Sequence, residues 1–317
     1  MRKVHLLLSV IGWLSIIIVT AWCVLHLATG DSIPIIRLMN YLAPWLGMWL
    51  LLLCLLSLFS RRFLLAVALF LPAVVVAYPH VQQFVPRNAH PQVHLEEATY
   101  KVMSYSKMGR NRKLDAVAAV IMKERPDILF MQEEGSAIMP LLASLYDGNK
   151  VHFVRNKVGI VVSRYPIAAL ERRDGILNVA TLDVSGNTTI TIWDVHLEKS
   201  FTSSRMQMQQ VRSVLEDVAQ ASGPMIVAGD FNATPDSEPY ILTNRMLKNA
   251  HAEAGFGFGF TFPSPARRMG YFTPFMRIDH IFYNDYFLAL NAYVVKDSGG
   301  SDHYPIVAIV RLSKVKL

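Results

Sequence analysis

Acidic, histidine and amide side chains recur at the ends of apolar segments in the C-terminal two thirds of this chain. Such side chains can transfer protons and bind metal ions, whereas the apolar segments beside them cannot. A single Asp or Asn at a strand end is most often a turn former. Five such positions in one region indicate instead a shared functional site. They are Gln132-Glu133, His196, Asp230-Phe231-Asn232, Asp279-His280 and Ser301-Asp302-His303.

The segments that carry these residues have the patterns of β-strands with a few helices between them. A strand at 100–105, a helix over 114–122 and a strand at 127–131 open the region, and 203–220 is predicted to be a second helix. Because strands outnumber helices, we expect two packed sheets with outer helices and not one doubly wound sheet. Further strands are predicted at 159–163, 177–184, 188–195, 225–228, 278–283, 289–295 and 306–312.

Four motifs in this region resemble the endonuclease/exonuclease/phosphatase superfamily, which contains deoxyribonuclease-I-like nucleases, abasic-site endonucleases, inositol-polyphosphate phosphatases and neutral sphingomyelinases. The resemblance covers residues 99–312, and the motifs follow the family's order. It implies an α/β fold, a four-layer α/β sandwich of two mostly antiparallel sheets with outer helices. The motifs are LFMQE at 129–133, GIVVSRYPI at 159–167, GDFNATP at 229–235 and SDHYPI at 301–306.

The resemblance also implies a role for each polar position. Glu133 resembles the principal metal carboxylate, and Asp302 resembles a second ligand that reaches the ion directly or through water. Oxygen ligands of this kind suit Mg²⁺ or Mn²⁺. The other residues are expected to act on a phosphoester: His196 and Asn232 bind phosphate oxygens, Asp230 orients or deprotonates water, His303 is the last catalytic histidine, and Asp279 fixes its tautomer. The general base is either Asp230 or His303.

One position departs from the family pattern. The family's first strand normally ends in a metal-linked asparagine, whereas this strand leads to Ser106. A serine hydroxyl can hold a metal-bound water, so Ser106 is assigned to the metal site, with Asn111 nearby as an alternative. A site that had decayed at this position would instead leave a non-catalytic membrane scaffold.

Three apolar segments precede this region and contain no Asp, Glu, Lys or Arg. They lie at 4–27, 41–60 and 63–79, and each is near the roughly 20 residues that cross a bilayer core. A cleavable signal peptide would explain only the first of them. We therefore predict a bundle of three transmembrane helices within 1–80.

The positions of the basic residues predict how these helices are oriented. Arg2-Lys3 precedes the first helix and Arg61-Arg62 links the second to the third, and basic loops stay in the cytoplasm. An odd number of crossings then places the rest of the chain, a linker at 81–97 and a catalytic domain at 98–317, outside. The expected location is a bacterial inner membrane with a periplasmic domain.

Composition bears on the substrate and on the available chemistry. The chain is 52% apolar, and after residue 80 it holds 26 basic and 23 acidic side chains, a formal charge of +3, so a broad DNA-binding face is not indicated. Both cysteines lie in apolar segments, which leaves the domain without a disulfide or thiolate metal site.

A glycine- and phenylalanine-rich segment at 255–263 is expected near the mouth of the site, where its aromatic rings suit either the protein core or a bilayer. The preferred partners are therefore a lipid bilayer and a lipid phosphoester, with no obligate protein partner. The alternative is an anchored nuclease that acts on extracytoplasmic nucleic acid through basic residues: Arg155, Lys157, Arg164, Arg172 and Arg173.

Overall fold

The apolar segments before residue 85 form α-helices. A computed structural model of the chain describes residues 2–85, 98–133, 137–142, 151–155, 159–173, 177–185, 188–271 and 274–313. A helix satisfies its backbone hydrogen bonds within its own segment, as an apolar environment requires. The N-terminal helices are α1 (Arg2–Thr29), α2 (Pro34–Tyr41), α3 (Ala43–Phe59) and α4 (Phe63–Val81).

These helices match the three predicted spans only in part. Two segments, Lys3–Thr29 and Phe63–Phe84, are long and apolar enough to cross a membrane, and the pair α2 and α3, bent by 72°, counts as a third only if it is one span. Pro44 in the first turn of α3 lacks the backbone N–H that an unbroken helix would need there. The predicted linker begins with the end of α4 and a 3₁₀ turn, and its part at 86–97 lies outside the described residues.

The chain divides into two compact units, one made of Met1–Val85 with Asp236–Glu238 and one made of the remaining residues. The second unit contains two six-stranded sheets. In chain order its first strands and helices are β1 (Thr99–Ser106), α5 (Leu114–Glu124), β2 (Ile128–Gln132), α6 (Met139–Leu142), β3 (His152–Arg155), β4 (Gly159–Ser163), β5 (Ile167–Arg173), β6 (Leu177–Asp183) and β7 (Thr189–His196). The rest are α7 (Ser200–Gln220), β8 (Met225–Asp230), α8 (Glu238–Met246), β9 (Lys248–Asn249), α9 (Ala250–Ala254), β10 (Asp279–Tyr283), β11 (Phe287–Val294) and β12 (Ile306–Leu312).

Each sheet contains one parallel pair of strands among antiparallel neighbours. The strand orders are β11-β12-β1-β2-β4-β3 and β5-β6-β7-β8-β10-β9. The parallel pairs are β1 with β2, joined by α5, and β7 with β8, joined by α7. Parallel strands finish at the same end of a sheet, and an antiparallel neighbour begins at that end. The C-terminal ends of β1 and β2 therefore lie beside the start of β12, and those of β7 and β8 lie beside the start of β10.

Three apolar clusters give the domain four layers. The cluster between the sheets includes Phe130 and Ile192, α5 packs on the outer face of the first sheet, and α7 packs on the outer face of the second through Val211 and Val214. Burying these faces is the main source of stability for such a layered domain. The predicted four-layer α/β sandwich is confirmed.

Candidate active site

The polar site residues occupy the interior face of the strands at one end. Successive side chains of a strand point to opposite faces, so Asp230 shares the interior face of β8 with Ile226 and Ala228, which belong to the core between the sheets. The interior-facing side chains of four other strands change in the same way, from apolar to polar toward one end of the strand. The polar interior positions are Ser104 and Ser106 on β1, Gln132 on β2, Asp194 and His196 on β7, and Asp279 on β10.

Three of these side chains, His196, Asp230 and Asp279, form a continuous line of contacts with Glu133 and His303. His196 Nε2 lies 3.8 Å from Glu133 Oε1 and 3.7 Å from Asp230 Oδ2. Asp230 Oδ2 lies 3.7 Å from His303 Nε2, and His303 Nδ1 lies 2.9 Å from Asp279 Oδ2. These residues are as much as 170 positions apart in the chain. The strand ends described above are what bring them together.

Asp230 is fixed by the backbone and almost completely buried. Its side chain is 2% exposed, and its Oδ1 accepts a 2.9 Å hydrogen bond from the backbone N–H of Asn232. Gly229 precedes it with φ +149°, and a Cβ there would lie 1.8 Å from the Val195 carbonyl oxygen, so only glycine permits this approach of β7 to β8. Burial raises the pKa of Asp230 to about 6 and outweighs the nearby positive charges of His303 and His196.

His303 is held as a cation by its acidic neighbours. Burial by itself lowers its pKa, but the negative charges of Asp279 and Asp230 and the hydrogen bond to Asp279 outweigh burial, so the pKa rises to about 9. The Phe262 ring packs on the imidazole with centroids 4.8 Å apart. Near neutral pH, His303 is therefore a hydrogen-bond donor and not a base, while Asp230 is mostly ionised.

Asn232 and His196 both contact the Asp230 carboxylate, Asn232 through its backbone N–H and His196 through Nε2. Asn232 has φ +46°, a left-handed conformation that asparagine tolerates better than most residues. The Asn232 Nδ2 donates to the Leu197 carbonyl at 2.9 Å. The backbone carbonyl of Asn232 accepts a 2.9 Å hydrogen bond from the side-chain amide of the buried Gln207. His196 remains partly exposed, at 23%. Both side chains are thus held at the end of β7.

Glu133 sits just beyond β2 in a strained conformation. Its φ is +58°, which costs a non-glycine residue about 1 kcal/mol or more. Its Oε2 accepts a 2.6 Å hydrogen bond from the backbone N–H of Gly109, and its side chain is 33% exposed. A strained backbone persists only where the surrounding structure fixes it, and such positions are most common at ligand-binding sites.

Ser106 ends β1 directly beside Gln132 in the strand register. Its hydroxyl oxygen is buried and makes no hydrogen bond within the described part of the chain. A free hydroxyl and a fixed carboxylate on adjacent strand ends are hard oxygen donors, which fit a Mg²⁺-like ion that keeps some of its waters. These residues therefore fit a divalent cation.

A second group, Asp230, Asp279 and His303, has ligand atoms within 4.8 Å of one another. Both ring nitrogens of His303 already face these two carboxylates. We interpret this group as an acid–base relay, because an ion bound there would displace the His303–Asp279 hydrogen bond.

Asp302 lies next to His303 but has a partner that the sequence did not predict. Arg267 Nε donates to Asp302 Oδ2 at 2.5 Å, and the Asp302 side chain is 5% exposed. One oxygen of the carboxylate expected to bind metal is therefore engaged by an arginine. Arg267 comes from a loop 35 positions away, so strand patterning gave no signal for it.

A buried polar pair beneath the site was also missed. Gln132 Nε2 donates to Asp194 Oδ1 at 2.6 Å, and both side chains are fully buried between the sheets. Asp194 precedes His196 by two positions, so strand alternation places both on the same face. That spacing was the available signal for the pair.

Carboxylates, histidines and an amide converge at one end of the two sheets, an arrangement suited to metal-assisted hydrolysis. The comparisons with known proteins give the family. A family model described as the endonuclease/exonuclease/phosphatase family matches residues 98–303. The chain belongs to this family, whose members are divalent-metal-dependent nucleases, phosphodiesterases and phosphatases acting on phosphoester and nucleic acid substrates.

Solved structures share the fold at low sequence identity. An endonuclease/exonuclease/phosphatase from Bacteroides vulgatus aligns with a TM-score of 0.56 at 18% identity, over 68% of this chain and 100% of that one. A humanized Danio rerio TDP2 aligns with a TM-score of 0.55 at 17% identity, over 67% of this chain and 98% of that one. These likenesses show the fold alone.

A UPF0294 protein of Vibrio cholerae is similar in sequence. It is 26% identical over 129 residues, which make up 41% of this chain and 42% of the relative. The match therefore spans less than half the length of that curated relative.

Proposed function

We propose that this chain is a membrane-anchored, Mg²⁺- or Mn²⁺-dependent hydrolase of a lipid or lipid-linked phosphoester outside the cytoplasm. The observation that carries the catalytic part is the line of contacts from Glu133 through His196, Asp230 and His303 to Asp279. It places acidic, basic and hydrogen-bonding groups within reach of one phosphate.

Each residue in the proposed reaction has a role that follows from its surroundings. Glu133, Ser106 and the second oxygen of Asp302 would hold the cation, which would neutralise charge on the phosphate oxygens. Asp230, ionised above a pKa of about 6, accepts the proton of the attacking water. His303, charged below a pKa of about 9, donates its proton to the leaving ester oxygen as the bond from that oxygen to phosphorus breaks. This division of roles follows from the two pKa values and makes Asp230 the general base.

The other two donors complete the phosphate site. His196 lies between Glu133 and Asp230 and donates to a phosphate oxygen. The Asn232 amide, held beside the end of β7 by its bond to the Leu197 carbonyl, is assigned to the same phosphate site. Donors already fixed by the fold need no reorganisation when charge develops in the transition state. Asp279 does not touch the substrate; it holds the charged His303 in place.

The lipid preference rests on the apolar helices and on exposed apolar side chains near the site. Tethering by the N-terminal helices would present the domain to lipid at high effective concentration. Met269 and Tyr271 are 66% and 75% exposed in a segment fastened to the Asp302 loop. In the aromatic segment, Phe258 and Phe260 stack on each other and Phe262 packs on His303, whereas Phe256 is 70% exposed.

The substrate class is tested with the purified full chain in detergent and Mg²⁺, assayed against plasmid DNA and against mixed phospholipids. We expect lipid turnover that disappears in Asp230→Ala and His303→Ala. Nicking of DNA without lipid turnover would favour the nuclease alternative instead. Wild-type inactivity on both would favour the non-catalytic scaffold.

The compartment has a separate test. A reporter fused after Leu317 is expected to behave as periplasmic if the N-terminal region crosses the membrane three times. Cytoplasmic reporter activity would mean an even number of crossings and would contradict the proposed location.

A further inference from the structure

Arg267 reaches the site from a loop that the catalytic proposal does not use. The loop is fastened at several points to the segment that carries Asp302 and His303. Ser264 N–H donates to the Asp302 carbonyl at 2.7 Å, the Ser264 hydroxyl donates to the Ser301 carbonyl, and Tyr304 N–H donates to the Thr261 carbonyl at 2.7 Å. The position of Arg267 is therefore set by the active-site segment itself.

The backbone around Arg267 is a tight turn. Its N–H donates to the Ser264 carbonyl at 3.0 Å, and its carbonyl accepts from Gly270 N–H at 2.9 Å. A Cβ on Gly270 would lie 2.1 Å from the Ser264 carbonyl oxygen, so the turn requires glycine at this position. The turn leaves the Arg267 side chain pointing to Asp302.

The contact with Asp302 uses only one of the nitrogens of the guanidinium group. Nε donates to Asp302 Oδ2 at 2.5 Å, and within the described part of the chain the two terminal nitrogens make no hydrogen bond or ion pair. Asp302 is 5% exposed, whereas the Arg267 side chain is 39% exposed. The guanidinium group therefore extends from the buried floor of the site to its rim.

A guanidinium oriented in this way is suited to bind an anion. Its two terminal NH₂ groups can donate to two oxygens of one phosphate, and the bond to Asp302 limits the side-chain freedom lost on binding. The carboxylates of Glu133, Asp230 and Asp279 outnumber the charged His303 in the site, so they would repel a substrate with additional negative charge. A cation at the rim offsets that repulsion.

We infer that Arg267 is a specificity-determining residue that binds a second anionic group of the substrate beside the scissile phosphate. This inference rests on the proposed lipid hydrolase function. It narrows the substrate to a lipid phosphoester whose headgroup carries another phosphate, and Asp302 serves as the positioning residue for the guanidinium.

The test compares two lipids that differ by one phosphate, phosphatidylglycerol and phosphatidylglycerol phosphate, in the same detergent micelles with the full chain. The measured quantity is the ratio of kcat/KM for the two. We expect the wild type to prefer the phosphorylated lipid and Arg267→Gln to reduce this preference about tenfold or more, the worth of a charge-assisted hydrogen bond. Glutamine can still donate to Asp302, which preserves the turn.

Two further variants separate recognition from local charge and from folding. Arg267→Lys keeps the charge but not the paired donors, so it is expected to keep part of the preference. Arg268→Gln removes the same charge from the neighbouring, exposed residue and is expected to leave the ratio within about twofold. A merely structural role for Arg267 would lower both rates together and leave the ratio unchanged.

The outcomes distinguish the two proposals. Both lipids could be hydrolysed with the same ratio of kcat/KM in the wild type and in Arg267→Gln. That result would overturn the role of Arg267 and leave the lipid hydrolase proposal intact. An equal loss of preference in Arg268→Gln would also overturn it. Absence of turnover on either lipid, with cleavage of plasmid DNA, would contradict the proposed function itself.

Discussion

Replacing Asp279 with asparagine removes the charge that holds His303 protonated and keeps nearly the same side-chain shape. The pKa of His303 is about 9 instead of 6.5, which at about 1.36 kcal/mol per pH unit favours the imidazolium by about 3 kcal/mol. Among the influences that raise this pKa, the Asp279 charge is the largest. Without the Asp279 charge, burial still lowers the pKa of His303. The remaining negative charges, on Asp230 and Asp302, raise this pKa by less than Asp279 does.

The assay is the rate of phosphoester hydrolysis from about pH 5 to about pH 10 at saturating Mg²⁺, where a bell-shaped profile reports the essential base and acid. In the wild type we expect activity to rise as Asp230 ionises near pH 6 and to fall as His303 loses its proton near pH 9. In Asp279→Asn the alkaline limb should move to about pH 7 or below, with kcat at pH 8 reduced about tenfold or more.

The matched control for this prediction is Asp285→Asn. Asp285 follows the other end of β10, where it is 45% exposed and pairs with Lys248, so its profile should match the wild type. An alkaline limb that stays near pH 9 in folded Asp279→Asn would refute the claim that Asp279 keeps His303 charged.

Three further predictions concern the metal and the buried histidines. Glu133→Gln should raise the half-saturating Mg²⁺ concentration and lower kcat about a hundredfold or more; an unchanged Mg²⁺ titration would exclude Glu133 as a ligand. Ser106→Ala should leave the melting temperature nearly unchanged, because the hydroxyl has no hydrogen-bond partner in the described chain, but should weaken Mg²⁺ activation severalfold; equal activation would remove Ser106 from the metal site. Burial lowers the pKa of His280 to about 3. The contribution of the neutral imidazole to the free energy of unfolding is therefore complete above pH 6.5 and is lost as pH falls toward 3. Melting in detergent should show a smaller acid loss in His280→Gln than in the wild type, and an equal loss would contradict this.

The sequence predicted the inner strands well because their interior faces are continuously apolar. β4 was predicted at its observed bounds, 159–163, and β12 at 306–312. β3 was missed, and β5 was noted only as part of a motif. β3, at one edge of its sheet, is His152–Arg155, with polar residues at both ends and one buried side chain. Edge strands need fewer apolar residues, so their periodicity is weak. The short helices α8 and α9 were missed because they have too few turns to show a stripe.

The candidate site was predictable where it follows strand patterning and family motifs, and not where it depends on loops. His196 and Asp230 each end a strand, Glu133 directly follows one, and the structure brings all three together. The Arg267–Asp302 pair is different, because a loop conformation fixed by Gly270 brings its members together. No periodicity encodes a contact of this kind.

The charges of the catalytic pair also explain how the fold can keep such a site. The raised pKa of Asp230 means that the folded state disfavours its ionised form; this cost is absent below pH 3.8 and complete above about pH 6, where it amounts to about 3 kcal/mol. The raised pKa of His303 stabilises the folded state instead, by about 3 kcal/mol. This stabilisation is complete below pH 6.5 and is lost as pH rises through about 9. Near pH 6.5 the two contributions oppose each other, and the His303 contribution then falls as pH rises toward 9 while the Asp230 cost remains. A lone buried Asp230 would be neutral or destabilising near pH 7, so the imidazolium supplied by Asp279 and His303 is what allows a buried carboxylate to serve as a base at that pH.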